Sequence, residues 1–239
     1  MRVPMKTPTL FPMRLTSALF LVTVTLVIGL TSYLAWQPER SGSLSLWIWA
    51  LVPSVILAAL AAAWAVHDGL LLDWLAPRWG DATRGVFAAL ALVAGAWTFV
   101  RTSMPIGSAH EIWLVSLYGS VGDPRRLANH GQALVGVLVV GSLADEILWR
   151  GMVTQIIADR VGSRTAWVWA AGLYALAYFP TAWALGVGSS LNPVLVFAAL
   201  ATGLLFGAMA RTFGRLLPSV IAHAFFLWGV LMIVPLWGQ

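Results

Sequence analysis

The sequence predicts an all-α fold, a polytopic bundle of transmembrane helices, and three observations predict it. Hydrophobic residues make up 60% of the 239-residue chain and charged residues only 10%, with a mean hydropathy of +0.85, far outside the range of water-soluble domains. Several apolar runs reach the roughly 20 residues that cross about 30 Å of hydrocarbon at about 1.5 Å per residue. The short alternating pattern of an outer-membrane barrel is absent, and an open sheet would leave backbone groups unpaired in lipid.

The first apolar run, residues 15–36, follows a short basic tail carrying Arg2, Lys6 and Arg14. It reads as an uncleaved anchor, because it is longer than a signal-peptide core and no small-x-small cleavage site closes it before Gln37. Further spans are expected at residues 46–66, 85–104, 132–149, 165–185, 193–210 and 216–237, which makes seven. Two intervening segments, 67–79 and 109–117, are too short or too polar to span and read as interfacial helices. If the second is embedded, the count becomes eight.

Lysine and arginine accumulate on the cytoplasmic side of short loops. With the N-terminus inside, that side holds Arg2, Lys6, Arg14, Arg78, Arg84, Arg160, Arg164, Arg211 and Arg215, against Arg40, Arg101, Arg125 and Arg126 outside. The C-terminus then faces outward. Turn chemistry in residues 119–129, with Gly122, Asp123 and Pro124, separates three spans from four. The expected organisation is therefore an N-terminal transmembrane region, 1–128, and a core, 129–239. The chain shows no self-similar halves of the kind found in inverted-repeat transporters.

A net charge of +5 and a pI near 10.4 do not imply a nucleic-acid partner, because the cations are scattered among loops rather than gathered on one surface. The absence of cysteine excludes disulfides, thiolate metal sites and a cysteine nucleophile. His67, His110 and His130 lie in loops or at span ends without a partner at metal-ligand spacing, so neither a metal nor another cofactor is expected. Trp36, Trp47, Trp79, Trp183 and Trp237 fall near span ends and read as interfacial anchors. Gly203 and Gly207 have helix-packing spacing.

Ionisable groups inside a span are costly and mark functional sites. Asp145, Glu146 and Arg150 in the fourth span and His223 in the last are such groups. Glu146 and Arg150, four residues apart, share a helical face and can pair. Asp145 has no cation at helical spacing, and a carboxylate so placed is a candidate for taking a proton from water. On the expected spans, Asp145 lies about 7 Å, and His223 about 10–12 Å, from the same end of the bundle. One depth for both suits either water-activating hydrolysis or a proton relay. Taken alone, the carboxylate cluster also fits a structural ion pair, and His223 a core histidine bonded to a carbonyl or to Tyr178.

The string Asp145-Glu146-Ile147-Leu148-Trp149-Arg150-Gly151 resembles the Glu-Glu-x-x-x-Arg-Gly motif of the CPBP family, which includes CAAX prenyl endopeptidases and bacteriocin-processing or immunity proteins. Downstream, Tyr174-Ala175-Leu176-Ala177-Tyr178 sits where that family has its aromatic-x-x-x-His motif. The segments Gly203–Gly207, Arg211 and Leu217–His223 resemble the helix and loop before its final histidine. The resemblance covers residues 141–228.

It implies a glutamic-type intramembrane endopeptidase. The first glutamate and first histidine of the family activate water, while the last histidine and an Asn or Asp four residues on support the oxyanion. By position these roles fall on Asp145, Tyr178, His223 and Leu227. Asp is one methylene shorter than Glu, about 1.5 Å. Tyr178 can donate a hydrogen bond but is a poor proton acceptor at neutral pH. Leu227 offers no polar group, and one lost oxyanion donor typically costs on the order of 100- to 1000-fold in rate.

Three function classes follow. The first is an intramembrane endopeptidase acting on a membrane-anchored protein or peptide in the lipid bilayer. The second is a catalytically impaired relative serving as a peptide-binding, immunity or scaffold protein. The third is a transporter or proton relay, which the missing repeats count against. Short termini, the lack of long loops and the arginine distribution are compatible with a bacterial inner membrane. The sequence assigns no oligomeric state.

Overall fold

The computed structural model describes residues 15–122, 131–233 and 236, and within them the chain is built of helices. The basic tail with Arg2, Lys6 and Arg14, the segment holding Asp123, Pro124, Arg125, Arg126 and His130, and Trp237 lie outside the described residues. In chain order the helices are α1 (Leu15–Ala35), α2 (Leu44–His67), α3 (Leu71–Leu75), α4 (Asp81–Ser103) and α5 (Glu111–Val121). They continue as α6 (Gly131–Val161), α7 (Ala166–Tyr178), α8 (Thr181–Ala184), α9 (Val194–Phe213) and α10 (Leu217–Ile233).

Five of these, α1, α2, α4, α6 and α9, are long and apolar enough to cross a membrane. The expected span at 165–185 is instead a 13-residue helix followed by the short α8. Pro180 is the reason: it has no N–H to continue the ladder and its ring crowds the preceding turn. The run at 216–237 forms a 17-residue apolar helix. Of the two segments read as interfacial, 109–117 becomes α5, and 67–79 contributes the five-residue α3.

Helix α6 departs most from expectation. The apolar pattern stops at Trp149, yet the helix runs on to Val161, 31 residues in all. Arg150 does not end it, because that side chain is buried and paired inside the bundle. Gly162, with φ of 82°, ends it instead, taking a conformation that costs a residue without Cβ little. Asp145 therefore lies not near a helix end but near mid-helix, about 24 Å before Val161. From Glu146 to Val153 the helix is wound as a π-helix, a form that occurs mostly in short stretches and often at functional sites.

Helix α9 packs on α7, α10 on α4 and α6, and α1 on α2 and α7. Small residues allow the close approaches. Gly203 faces Ala171 and Gly207 faces Trp167, while a Cβ on Gly85 would meet Ile221 at 2.6 Å and the Pro218 carbonyl at 2.9 Å. The outward faces carry Leu26, Leu30, Ile56, Leu60, Phe87 and Phe197, all exposed, as expected of helices whose solvent is lipid.

The bundle has two chemically distinct ends. At one, Arg215 pairs with the buried Asp81 at 2.5 Å, and Asp81 accepts the Arg78 backbone N–H at 2.8 Å. The Leu216 N–H donates to the Trp74 carbonyl, and Arg211 donates to the Arg164 carbonyl. At the other end, α5 lies across the loops. The Gly42 N–H donates to the Ser120 carbonyl, Ser116 to the Leu185 carbonyl, Asn192 to the Trp113 carbonyl and Tyr118 to the Val230 carbonyl. Of the described arginines outside the core, Arg78, Arg84, Arg160, Arg164, Arg211 and Arg215 belong to the first end, Arg40 and Arg101 to the second.

Candidate functional site

The π-wound stretch of α6 presents Glu146, Arg150 and Gly151 to the centre of the bundle, where Glu146 is fully buried and Arg150 is 6% exposed. Arg150 Nη1 approaches Glu146 Oε1 to 3.3 Å. The contact lacks hydrogen-bond geometry, leaving both terminal guanidinium nitrogens without a hydrogen-bond partner among the described residues. The guanidinium lies over the Tyr174 ring at 4.5 Å and over Phe206 at 5.5 Å, so cation–π attraction supplements the ion pair. Gly151 is required locally, because a Cβ there would meet the buried Trp74 ring at 2.6 Å.

His223, from α10, approaches the same Glu146 Oε1 with Nδ1 at 3.3 Å. A carboxylate only accepts, so Nδ1 carries its hydrogen toward Glu146 and Nε2 is left for other work. The imidazole packs on Phe206 with ring centroids 5.0 Å apart. Its partner is thus Glu146, rather than the backbone carbonyl or Tyr178 that a core histidine was expected to find.

Asp145, one residue before Glu146, points elsewhere. Its Oδ2 accepts the Tyr174 hydroxyl at 3.1 Å. Tyr174 stands in edge contact with Tyr178, centroids 5.1 Å apart, and with Trp149 at 5.3 Å. Asp145, Tyr174, Tyr178 and His223 all line one cavity of about 220 Å3, with Thr202 and Leu227 beside them. Sequence reasoning placed Asp145, Tyr178, His223 and Leu227 at equivalent positions of one motif set, and the fold brings all four to this cavity. Glu146 and Arg150 stand behind it.

Tyr174 is the residue whose chemistry sequence reasoning missed. It was read as the aromatic of a motif, whereas its hydroxyl holds the carboxylate. The available signal was its spacing, one helical turn before Tyr178 and on the same face.

The geometry on this cavity matches the order of the sequence motifs, and a family comparison covers the same stretch. Residues 130–229 match the family model described as type II CAAX prenyl endopeptidase Rce1-like. This stretch, less than half of the chain, is similar to the Rce1-like group of the CPBP family. The matched part runs through α6, α7, α8 and α9 and the first 13 of the 17 residues of α10, and so contains Asp145, Glu146, Arg150, Tyr178 and His223. Helices α1 to α5 lie outside it. No curated protein and no solved structure matches the chain. With the five long apolar helices, the match points to an integral membrane protein.

Proposed function

We propose that this protein is an intramembrane endopeptidase that hydrolyses a peptide bond of a membrane-associated protein or peptide with water activated by Asp145. The observation that carries the reading is the convergence of Asp145, Tyr178 and His223 on one cavity. A binding-only relative would have no need to keep a carboxylate and an imidazole facing the same space.

Each group has a role that its contacts suit. Asp145, held through Oδ2 by Tyr174, takes a proton from water with its other oxygen as the water oxygen attacks the carbonyl carbon. The tetrahedral oxyanion accepts hydrogen bonds from the Tyr178 hydroxyl and from Nε2–H of the His223 imidazolium, which the Glu146 carboxylate supports through Nδ1. Collapse breaks the C–N bond, and Asp145 returns its proton to the leaving amine. Arg150 offsets the charge of Glu146 and fixes it as the anchor for His223. Leu227 gives the oxyanion nothing, so slow turnover is expected.

The same reading takes seven crossings, counting α7 with α8 as one and α10 as another, with the arginine-rich end in the cytoplasm. A bacterial inner membrane suits this arrangement.

The test is cleavage of a panel of membrane-anchored reporter peptides by the purified protein in nanodiscs, alongside Asp145→Ala, Glu146→Ala and His223→Ala. Cleavage that disappears in the Asp145 and His223 variants supports the proposal. No cleavage by wild type, with activity appearing only when Asp145→Glu, Tyr178→His and Leu227→Asn are combined, would replace it with a protein that has lost catalysis and binds.

A further inference from the structure

Peptide hydrolysis needs hydrogen-bond donors at the oxyanion, and Leu227 supplies none. Among the described residues lining the cavity, four carry hydroxyls: Ser54, Tyr174, Tyr178 and Thr202. Two of these are already engaged. Tyr174 donates to Asp145 Oδ2 at 3.1 Å, and Thr202 donates to the Ala198 carbonyl, one turn back on its own helix, at 2.8 Å. Tyr178 already has a role in the proposed reaction, and Ser54 has none.

Ser54 lies on α2, ten residues after Leu44, about 15 Å along the helix, and is only 6% exposed. Hydroxyls on helices in apolar surroundings commonly bond back to a carbonyl of the preceding turn. Thr25, Thr31, Thr98 and Thr202 do so here, each at 2.8 Å. The Ser54 hydroxyl makes no bond of this kind and none to another described side chain. Unlike Ser142 Oγ, which is sealed within the packing, it opens on the cavity. Pro53, directly before it, has no N–H for the Trp49 carbonyl and interrupts the helix ladder at this turn. A buried hydroxyl in this state is a donor held ready for a group that enters the cavity.

Helix α2 packs on α6, including its π-wound stretch, and so sets Ser54 on the same cavity as Asp145, Tyr178, His223 and Leu227. Ser54 lies outside the matched residues 130–229, so this donor comes from the N-terminal helices of the chain.

We propose that Ser54 is a further catalytic residue, whose hydroxyl donates a hydrogen bond to the oxyanion formed at the scissile carbonyl and takes the place of the polar group that Leu227 lacks. Ser54 neither gains nor loses a proton and forms no covalent bond. Its hydrogen bond strengthens as negative charge develops on the oxygen, so it favours the transition state over the bound peptide. The word catalytic rests on the endopeptidase reading; the preference of Ser54 for a tetrahedral anion over a planar amide does not.

The test compares wild type with Ser54→Ala, Ser54→Thr, and Ser54→Ala combined with Leu227→Asn, all in nanodiscs. Two quantities are measured. One is the cleavage rate of a membrane-anchored reporter peptide. The other, in an Asp145→Asn background, is the affinity for a phosphonate peptide, in which a tetrahedral anionic phosphorus group replaces the scissile amide, relative to the parent amide peptide. Ser54→Ala should lower kcat about 10- to 1000-fold with KM and unfolding temperature retained, and Ser54→Thr or the added Leu227→Asn should restore most of the loss. Ser54→Ala should also weaken phosphonate binding about 10-fold or more while amide binding is unchanged.

A wild-type kcat in Ser54→Ala overturns the proposal, as does equal weakening of both ligands or a loss that neither Ser54→Thr nor Leu227→Asn repairs. A protein that cleaves no peptide yet binds the phosphonate through Ser54 loses the endopeptidase reading alone. One that cleaves equally well with Ser54→Ala loses this inference alone, and one that neither cleaves nor prefers the phosphonate loses both.

Discussion

Glu146 is fully buried, and its carboxylate is approached from two directions, by the Arg150 guanidinium on its own helix and by the His223 imidazole on α10. Removing one partner of a buried pair leaves the other charge uncompensated, which typically costs about 3–5 kcal/mol. Arg150→Met should therefore lower thermal stability in detergent markedly, while the double variant Arg150→Met, Glu146→Gln should recover most of the loss; a thermal-unfolding series measures both. The pairing of Glu146 with Arg150 was legible from their spacing, because both contacts lie on one helix. The partners of Asp145 and His223 were not, since Tyr174 is 29 residues from Asp145 and His223 is 77 from Glu146. Their meeting depends on how α7 and α10 pack, which no local pattern encodes.

At the scale of the helix, the π-wound stretch of α6 and its glycine determine which way the motif faces. The Trp74 ring occupies the space a side chain on Gly151 would need, so α3, outside the family match, shapes the helix that carries Glu146 and Arg150. Gly151→Ala should destabilise the fold by about 1–3 kcal/mol through overpacking, and Trp74→Leu should relieve part of that cost; a double-mutant cycle in thermal unfolding reads the coupling. Helices α1, α2, α4 and α9 were readable from their apolar runs. The length of α6 was not, because Arg150 looks like a span end until its partner is known. The break before Pro180 was visible as a proline after Tyr178, but a kink and a helix end look alike in sequence. Trp74 was read as lying at an interface, and the structure buries it at 6% exposure.

Across the whole molecule, the arginine-rich end is fastened by Asp81 and Arg215, which are 134 residues apart in the chain and join α4 to the entry of α10. Arg215→Met should loosen this end and lower stability, and Asp81→Asn combined with it should cost less than the sum of the single changes, as thermal unfolding of the three variants will show. The arginine asymmetry between the ends was legible from composition alone, whereas the set of residues lining the cavity depends on tertiary packing. That cavity, with a carboxylate and an imidazole facing one space, is the basis of the functional account. The direct test is the rate at which the protein in nanodiscs cleaves a membrane-anchored reporter peptide, compared with Asp145→Asn, which keeps the side chain's shape and removes its ability to take a proton. The account predicts a loss on the order of 100- to 10,000-fold with unfolding temperature retained; cleavage by Asp145→Asn at the wild-type rate would contradict it.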